Sequence, residues 1–121
     1  MNELSHRRLS LSTAIEMDVY VAGNPANPAI IFLHGFPESH RTWRHQIAHF
    51  ADRFFCIAPD QRGYRGTSKP REVEAYSADK LTADIFALAD ALGVQNFIIA
   101  GHDWGGAIAW AVALSGQAGG F

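Results

Sequence analysis

Cysteine is almost absent from this chain. Cys56 is the only thiol among 121 residues, which excludes an intrachain disulfide and every Cys-based zinc site, since those need at least two spaced thiolates. A lone cysteine fits a cytoplasmic setting. Surplus positive charge is missing too: ten Lys and Arg stand against twelve Asp and Glu, for a net charge of -2. Without excess cations to release counterions from a phosphate backbone, nucleic acid is a poor partner. Long apolar runs are also lacking. The longest, Ala107 to Leu114, falls far short of the ~20 residues a bilayer requires. Arg7 and Arg8 are followed by no apolar stretch, so neither a signal peptide nor a membrane span is expected. No internal repeat or low-complexity segment stands out. What the chain does have is core material: 48% of its residues are hydrophobic, enough for one domain at a length that buries roughly two thirds of the unfolded surface.

The apolar period changes repeatedly along the chain, and the order of those changes predicts the architecture. Leu9, Leu11, Ile15, Met17, Val19 and Val21 mostly fall at every second position, as in a hairpin with one solvated face. Gly23 to Pro28, with two Asn-Pro pairs, reads as a turn. Ala29 to Leu33 is then a continuous apolar run, as a parallel strand covered on both faces requires. From Ser39, a candidate N-cap, to Ala51 the residues Trp43, Ile47, Phe50 and Ala51 make one helical stripe. Phe54 to Ala58 is a second buried strand, with Cys56 as a small hydrophobe, and Pro59-Asp60 opens a loop that runs to Pro70. Ser77 caps a helix carrying Leu81, Ile85, Leu88, Ala89 and Leu92, and Gly93 ends it in a left-handed turn. Asn96 to Ala100 is the third buried strand, followed by a small-residue helix to about Leu114. Strand and helix alternate three times, so the fold class is α/β with a mostly parallel sheet.

Reactive groups in such sheets gather beyond the carboxyl ends of the strands. Those ends here read His34-Gly35-Phe36-Pro37, Asp60-Gln61-Arg62-Gly63 and Gly101-His102-Asp103-Trp104-Gly105. The third has the form G-x-D-x-G between a strand and a helix, the setting of a nucleophile elbow. Side chains two positions to either side of the reactive residue would collide with the neighbouring strand and helix, which accounts for Gly101 and Gly105. At the helix N-terminus, free amides and the dipole hold Asp103 as a carboxylate. The alternative is that Asp103 merely caps the helix. A carboxylate in place of serine points to attack on alkyl carbon. Serine would leave an ether that cannot be cleaved again, whereas Asp leaves an ester that activated water hydrolyses.

HGFPE at His34 to Glu38, Asp60-Gln61-Arg62-Gly63-Tyr64, and GHDWGG at Gly101 to Gly106 closely resemble the N-terminal half of soluble epoxide hydrolases of the α/β-hydrolase fold. The likeness covers about Val19 to Leu114. It implies Asp103 as the nucleophile that opens an apolar small-molecule epoxide, and no cofactor or metal. It also implies an oxyanion hole from the backbone amides of Phe36 and Trp104, each donor of that kind being worth roughly 3 kcal/mol. Phe36, Pro37 and Trp104 would line the substrate site, while Gly35, Gly101, Gly105 and a hydrogen-bonded His34 support the loops. One departure is local: relatives commonly place Gly directly after the aromatic of the second segment, where this chain has Arg65 before Gly66. Haloalkane or haloacid dehalogenases of the same fold share the Asp-centred mechanism. The former usually carry Asn where this chain has Phe36, and fluoroacetate-type enzymes usually carry Arg where it has Trp104.

Other residues read as structural. His45 and His49 are four apart on the first helix, in an H-Q-I-A-H order that lacks the glutamate of a metalloprotease motif. A solvated face is expected of them, surface positions of Arg62 and Arg65, and a core position of Trp110. The family's later parts, a cap with two tyrosines, an acid and a late histidine, have no counterpart here. Tyr20, Tyr64 and Tyr76 all precede Asp103, and the end is a Gly-rich stretch to Phe121. The expectation is a partial hydrolase domain over residues 1–121, truncated or frame-shifted, inactive alone, and prone to self-association through an exposed sheet edge. A non-enzymatic remnant or small binding module is the reading from another class.

Overall fold

Two-residue alternation in the N-terminal segment builds one flank of the sheet. The computed structural model describes residues 4–35 and 39–115. Phe36, Pro37 and Glu38, and the Gly-rich stretch from 116 onward, lie outside the described residues. Strands β1 (Ser5–Ser10) and β2 (Glu16–Ala22) form an antiparallel hairpin, as expected, although β1 begins four residues before Leu9. Its Ser-His-Arg-Arg start is almost wholly exposed, and backbone pairing to β2, not burial, makes it a strand. In β2 the alternation is plain: Met17, Val19 and Val21 are buried, and Asp18 on the opposite face accepts hydrogen bonds from Arg8 at 2.9 Å and bonds His6 at 3.0 Å.

The three apolar runs become β3 (Ala29–Leu33), β4 (Phe55–Pro59) and β5 (Phe97–Gly101); β3 and β4 are buried throughout, but β5 is not the buried strand expected, since only Phe97 in it is buried and Ile98 is exposed, one of its edges pairing with no described strand. They run parallel, with Ile31 opposite both Ile57 and Ile99. The sheet order is β1-β2-β4-β3-β5, and β2 joins β4 antiparallel. The parallel heart is the expected one, and the hairpin makes the whole sheet mixed. Both faces of β3 are covered. Ile31 and Leu33 pack into a core with Leu81, Ile85, Leu88, Ile108 and Val112, whereas Ile30 and Phe32 pack into a second core with Ile47, Ala51 and Cys56. Each such fully buried aliphatic side chain contributes about 1.5–3 kcal/mol.

The first core is roofed by α2 (Ala78–Ala91) and α3 (Trp104–Leu114), the second by α1 (Arg44–Phe50). A 3-10 turn, His40–Trp43, precedes α1, and Ser39 caps it by accepting from the Arg41 amide. Gly93 takes φ +72 after α2, the left-handed end expected of it. Ser77 precedes α2 but, contrary to expectation, makes no side-chain capping bond. His45 and His49 are exposed on α1. No helix among the described residues is long and apolar enough to cross a membrane.

Two expectations are corrected by the packing. Arg62 is 6% exposed, not a surface residue: its guanidinium donates to both oxygens of Asp84 at 2.8 and 2.9 Å and to the Ala75 carbonyl. Arg65 is exposed, as expected. Trp110 is 71% exposed and not in the core. It stands with Ile98 beside a groove of about 410 Å³ along β5 and α3, where β5 pairs only with β3 among the described strands.

Candidate active site

Because β3, β4 and β5 are parallel, their carboxyl ends bring the three motif loops to one rim of the sheet. At the end of β5 the chain turns sharply, and Asp103 takes φ 59, ψ -125, a region costly for any residue with a Cβ. The glycines around it are there for space. A Cβ on Gly101 would sit 2.3 Å from the Gly105 carbonyl oxygen, and one on Gly105 only 2.2 Å from that of Leu33. A Cβ on Gly35 would meet Asp103 Cβ at 2.7 Å and Oδ2 at 2.8 Å. The carboxylate therefore lies directly over the backbone that follows β3.

Asp103 makes no side-chain capping bond to α3, although its carbonyl accepts from Gly106 at 2.9 Å. The side chain of a simple cap would turn back onto those amides; this one points to the loop across the rim. Trp104 is the first residue of α3, where backbone amides have no partner within the helix, and its side chain is 43% exposed. Tyr64 reaches the same place: burial, and then the charge of Asp103, push its phenol above the ordinary tyrosine range.

The loop that begins at His34 is held from the β4 side. His34 is fully buried, and its Nε2 accepts the Gln61 backbone N–H at 3.1 Å, so Nδ1 carries the proton and donates to the Gly35 carbonyl at 2.9 Å. The Gln61 side-chain amide donates to the His34 carbonyl at 2.8 Å. Both ring nitrogens of His34 are thus engaged by backbone groups. Farther along, buried Asp60 accepts from the backbone N–H of His40 at 2.8 Å and bonds its ring Nδ1 at 2.9 Å. His34 and His40 are thus each held by the segment that follows β4. Among the described residues no three His, Cys, Asp or Glu side chains come together as a metal-binding group.

Sequence reasoning missed the Gln61 and Asp60 clamps and the Arg62–Asp84 pair. Asp84 carried a signal: it lies three residues after Leu81 and one before Ile85, inside the apolar stripe of α2, where a charge requires an opposite partner. Arg65 adopts φ 48, the left-handed region that a glycine takes freely.

A sheet with helices on both faces, and an aspartate on a strained strand-to-helix turn above the parallel strands, defines an α/β hydrolase. The chain belongs to the alpha/beta hydrolase fold family, which matches residues 28–117. It is 44% identical over 108 residues to "Epoxide hydrolase A" of Mycobacterium tuberculosis, covering 88% of this chain and 34% of that protein. It is 45% identical over 91 residues to "Epoxide hydrolase 1" of Caenorhabditis elegans, covering 75% of this chain and 22% of the other. A solved structure described under "Novel epoxide hydrolases belonging to the alpha/beta hydrolases superfamily in metagenomes from hot environments" is 65% identical with a TM-score of 0.92, over 95% of this chain and 39% of that one. The chain thus spans about a third or less of the length of these curated relatives.

Proposed function

We propose that this chain carries the nucleophilic part of an epoxide hydrolase, with Asp103 as the attacking group. One Asp103 carboxylate oxygen attacks an epoxide ring carbon, the carbon–oxygen bond opposite breaks, and the ring oxygen leaves as an alkoxide that takes up a proton. The product is an ester between Asp103 and the substrate. Water then attacks the ester carbonyl, the backbone amides of Trp104 and Phe36 steady the oxyanion, and the diol departs with the carboxylate restored. Hydrolysis needs a general base within hydrogen-bond reach of that water. We assign the base, and the acid that protonates the alkoxide, to the portion of the relatives' length that this chain does not span.

The observation that carries this reading is the Asp103 turn itself: φ 59, ψ -125, with the carboxylate over Gly35. The names of the relatives favour an epoxide over a haloalkane. A cytoplasmic setting goes with it, supported by a single, buried thiol. The edge of β5 that pairs with no strand among the described residues, and whose Phe-Ile-Ile-Ala-Gly sequence carries no charge or proline, supports self-association of two copies. Sedimentation of Ile98→Lys against the parent chain tests that, with dimer in the parent and monomer in the variant as the expected result.

The test of the nucleophile is mass spectrometry after incubation with excess of a reactive epoxide. A stoichiometric adduct on the Asp103 peptide, absent from Asp103→Asn, is expected without sustained diol formation. An adduct that persists in Asp103→Asn, or no adduct at all, rejects Asp103. Steady diol formation abolished by Asp103→Asn would instead show that the chain supplies its own base.

A further inference from the structure

Beside the elbow lies a cavity of about 330 Å³ between the loop after β4, the second 3-10 turn Val73–Tyr76 and the start of α3. It is lined by Tyr64, Tyr76, Trp104 and the buried Leu81, together with Gln61, Arg62 and Gly63 of the loop after β4. The polar atoms nearby are occupied. Arg62 spends its guanidinium on Asp84 and the Ala75 carbonyl, Gln61 donates its amide to His34, and the Tyr76 hydroxyl donates to the Pro70 carbonyl at 2.7 Å. What the cavity presents to a ligand is therefore aromatic surface and an aliphatic floor.

The wall is also fixed in place. Gly63 takes φ +92, and a Cβ there would lie 2.8 Å from Tyr76 Cε1, so the Tyr76 ring rests against loop backbone. Trp104 follows Asp103 directly in the chain, and Tyr64 stands within electrostatic reach of its carboxylate. Trp104 therefore brings this opening beside the elbow. An apolar cavity of about 150 Å³ holds a benzene ring, and aromatic walls favour a flat ring through edge and offset-stacked contacts. A cavity of 330 Å³ takes one ring with the atoms that link it to the reacting carbon.

We infer that the space among Tyr64, Tyr76, Leu81 and Trp104 is a subsite for an aryl substituent, so that the chain prefers aryl-substituted epoxides to straight-chain alkyl ones. This rests on Asp103 being the nucleophile, but binding can be read without any chemistry. The probes are two product-like vicinal diols with equal numbers of heavy atoms, one phenyl-substituted and one a straight-chain octanediol. The full chain is titrated with each while the Trp104 indole N–H is followed by NMR, its signal assigned from Trp104→Phe. The phenyl diol is expected to shift that signal and to bind at least about tenfold more tightly, a usual scale for one well-packed ring. Tyr64→Leu should erase most of the preference. Trp104→Ala, at a half-exposed side chain, should do the same if Tyr64→Leu fails to fold, the two affinities then being read by titration calorimetry because the reporting indole is gone. Equal binding of the two diols, an unmoved Trp104 signal, or a preference that survives a folded variant overturns the subsite. Failures of the two readings separate cleanly. A phenyl preference with no Asp103 ester leaves the subsite and removes the nucleophile, whereas an Asp103 ester formed equally from phenyl and octyl epoxides does the reverse.

Discussion

Gly105 and Gly106 are neighbours at the start of α3, yet alanine at the two positions should act in opposite directions. At Gly105 a Cβ would lie 2.2 Å from the Leu33 carbonyl oxygen and 2.4 Å from that of His34. Both atoms are backbone of the β3 strand and the loop after it, which sit mid-sheet beneath the site. To restore ordinary contact, the helix start or the strand end must move by about 1 Å in an interior packed as densely as an organic crystal. Overpacking of this kind costs typically 1–3 kcal/mol, and with two rigid acceptors in the way we expect about 3 kcal/mol. That is a large fraction of the roughly 5–15 kcal/mol that holds a domain together, and it should lower Tm by about 10 °C for a chain of this size. At Gly106 the nearest atom to a Cβ is 3.7 Å away. There the gain in helix propensity should stabilise by about 0.5–1 kcal/mol. Urea denaturation followed by far-UV circular dichroism measures both. Equal effects of Gly105→Ala and Gly106→Ala, or a cost below about 1 kcal/mol at Gly105, would refute the idea that close approach to β3 dictates that glycine. The same Gly105→Ala protein should form the Asp103 adduct more slowly, because the turn shifts with the helix.

Three further outcomes follow from the same contacts. Breaking the buried Arg62–Asp84 pair by Arg62→Met strands a carboxylate, and should cost about 3–5 kcal/mol in the same denaturation assay; a change under 1 kcal/mol would mean that water reaches Asp84. Burial pushes the Cys56 thiol up to about 11, so alkylation of the folded chain should be far slower than of the urea-unfolded chain at neutral pH, and should accelerate as the pH rises toward that value. Burial raises the Asp18 carboxyl, but hydrogen bonds from His6 and Arg8 outweigh it and hold the group below its ordinary value of 3.8. A lowered folded pKa stabilises above the unfolded value and loses that stabilisation as the pH falls through the folded one. Asp18→Asn should therefore lower stability at neutral pH and flatten the acid limb below about pH 4, so that the variant and the parent chain converge at low pH; an unaltered acid limb counts against the His6 and Arg8 contacts.

Much of the fold was legible because the relevant signals are short-range. Continuous apolar runs at 29–33 and 54–58 announce strands covered on both faces, and Gly93 ends α2 in the left-handed turn its lack of a Cβ permits; the run at 96–100 also forms a strand, but only Phe97 of β5 is buried and Ile98 is 44% exposed. The strained turn was legible in part for the same reason: Gly101, Asp103 and Gly105 lie within five residues, and a Cβ on Gly101 would meet the Gly105 carbonyl oxygen, although what crowds Gly105 itself is the remote backbone of Leu33 and His34. The errors have the opposite character. Arg62 looked like a surface residue because its partner, Asp84, is twenty-two positions away on α2, and nothing within one turn of chain reveals that pairing. Trp110 looked like core because an apolar residue on a helix usually is. Its exposure follows from β5 pairing only with β3, which leaves that face of α3 without a covering element among the described residues.

The sequence by itself determined the strand and helix segments, the α/β class and the one aspartate set on a strained turn, since periodicity and φ preference act over a few residues. Tertiary structure alone decided the rest. It placed β4 between β2 and β3, directed the Gln61 amide to His34, closed Asp60 on His40, and gathered Tyr64, Tyr76 and Trp104 around one cavity. Those outcomes depend on which distant surfaces bury one another, because the free energy of a contact between remote segments is defined only once the whole sheet has assembled around it.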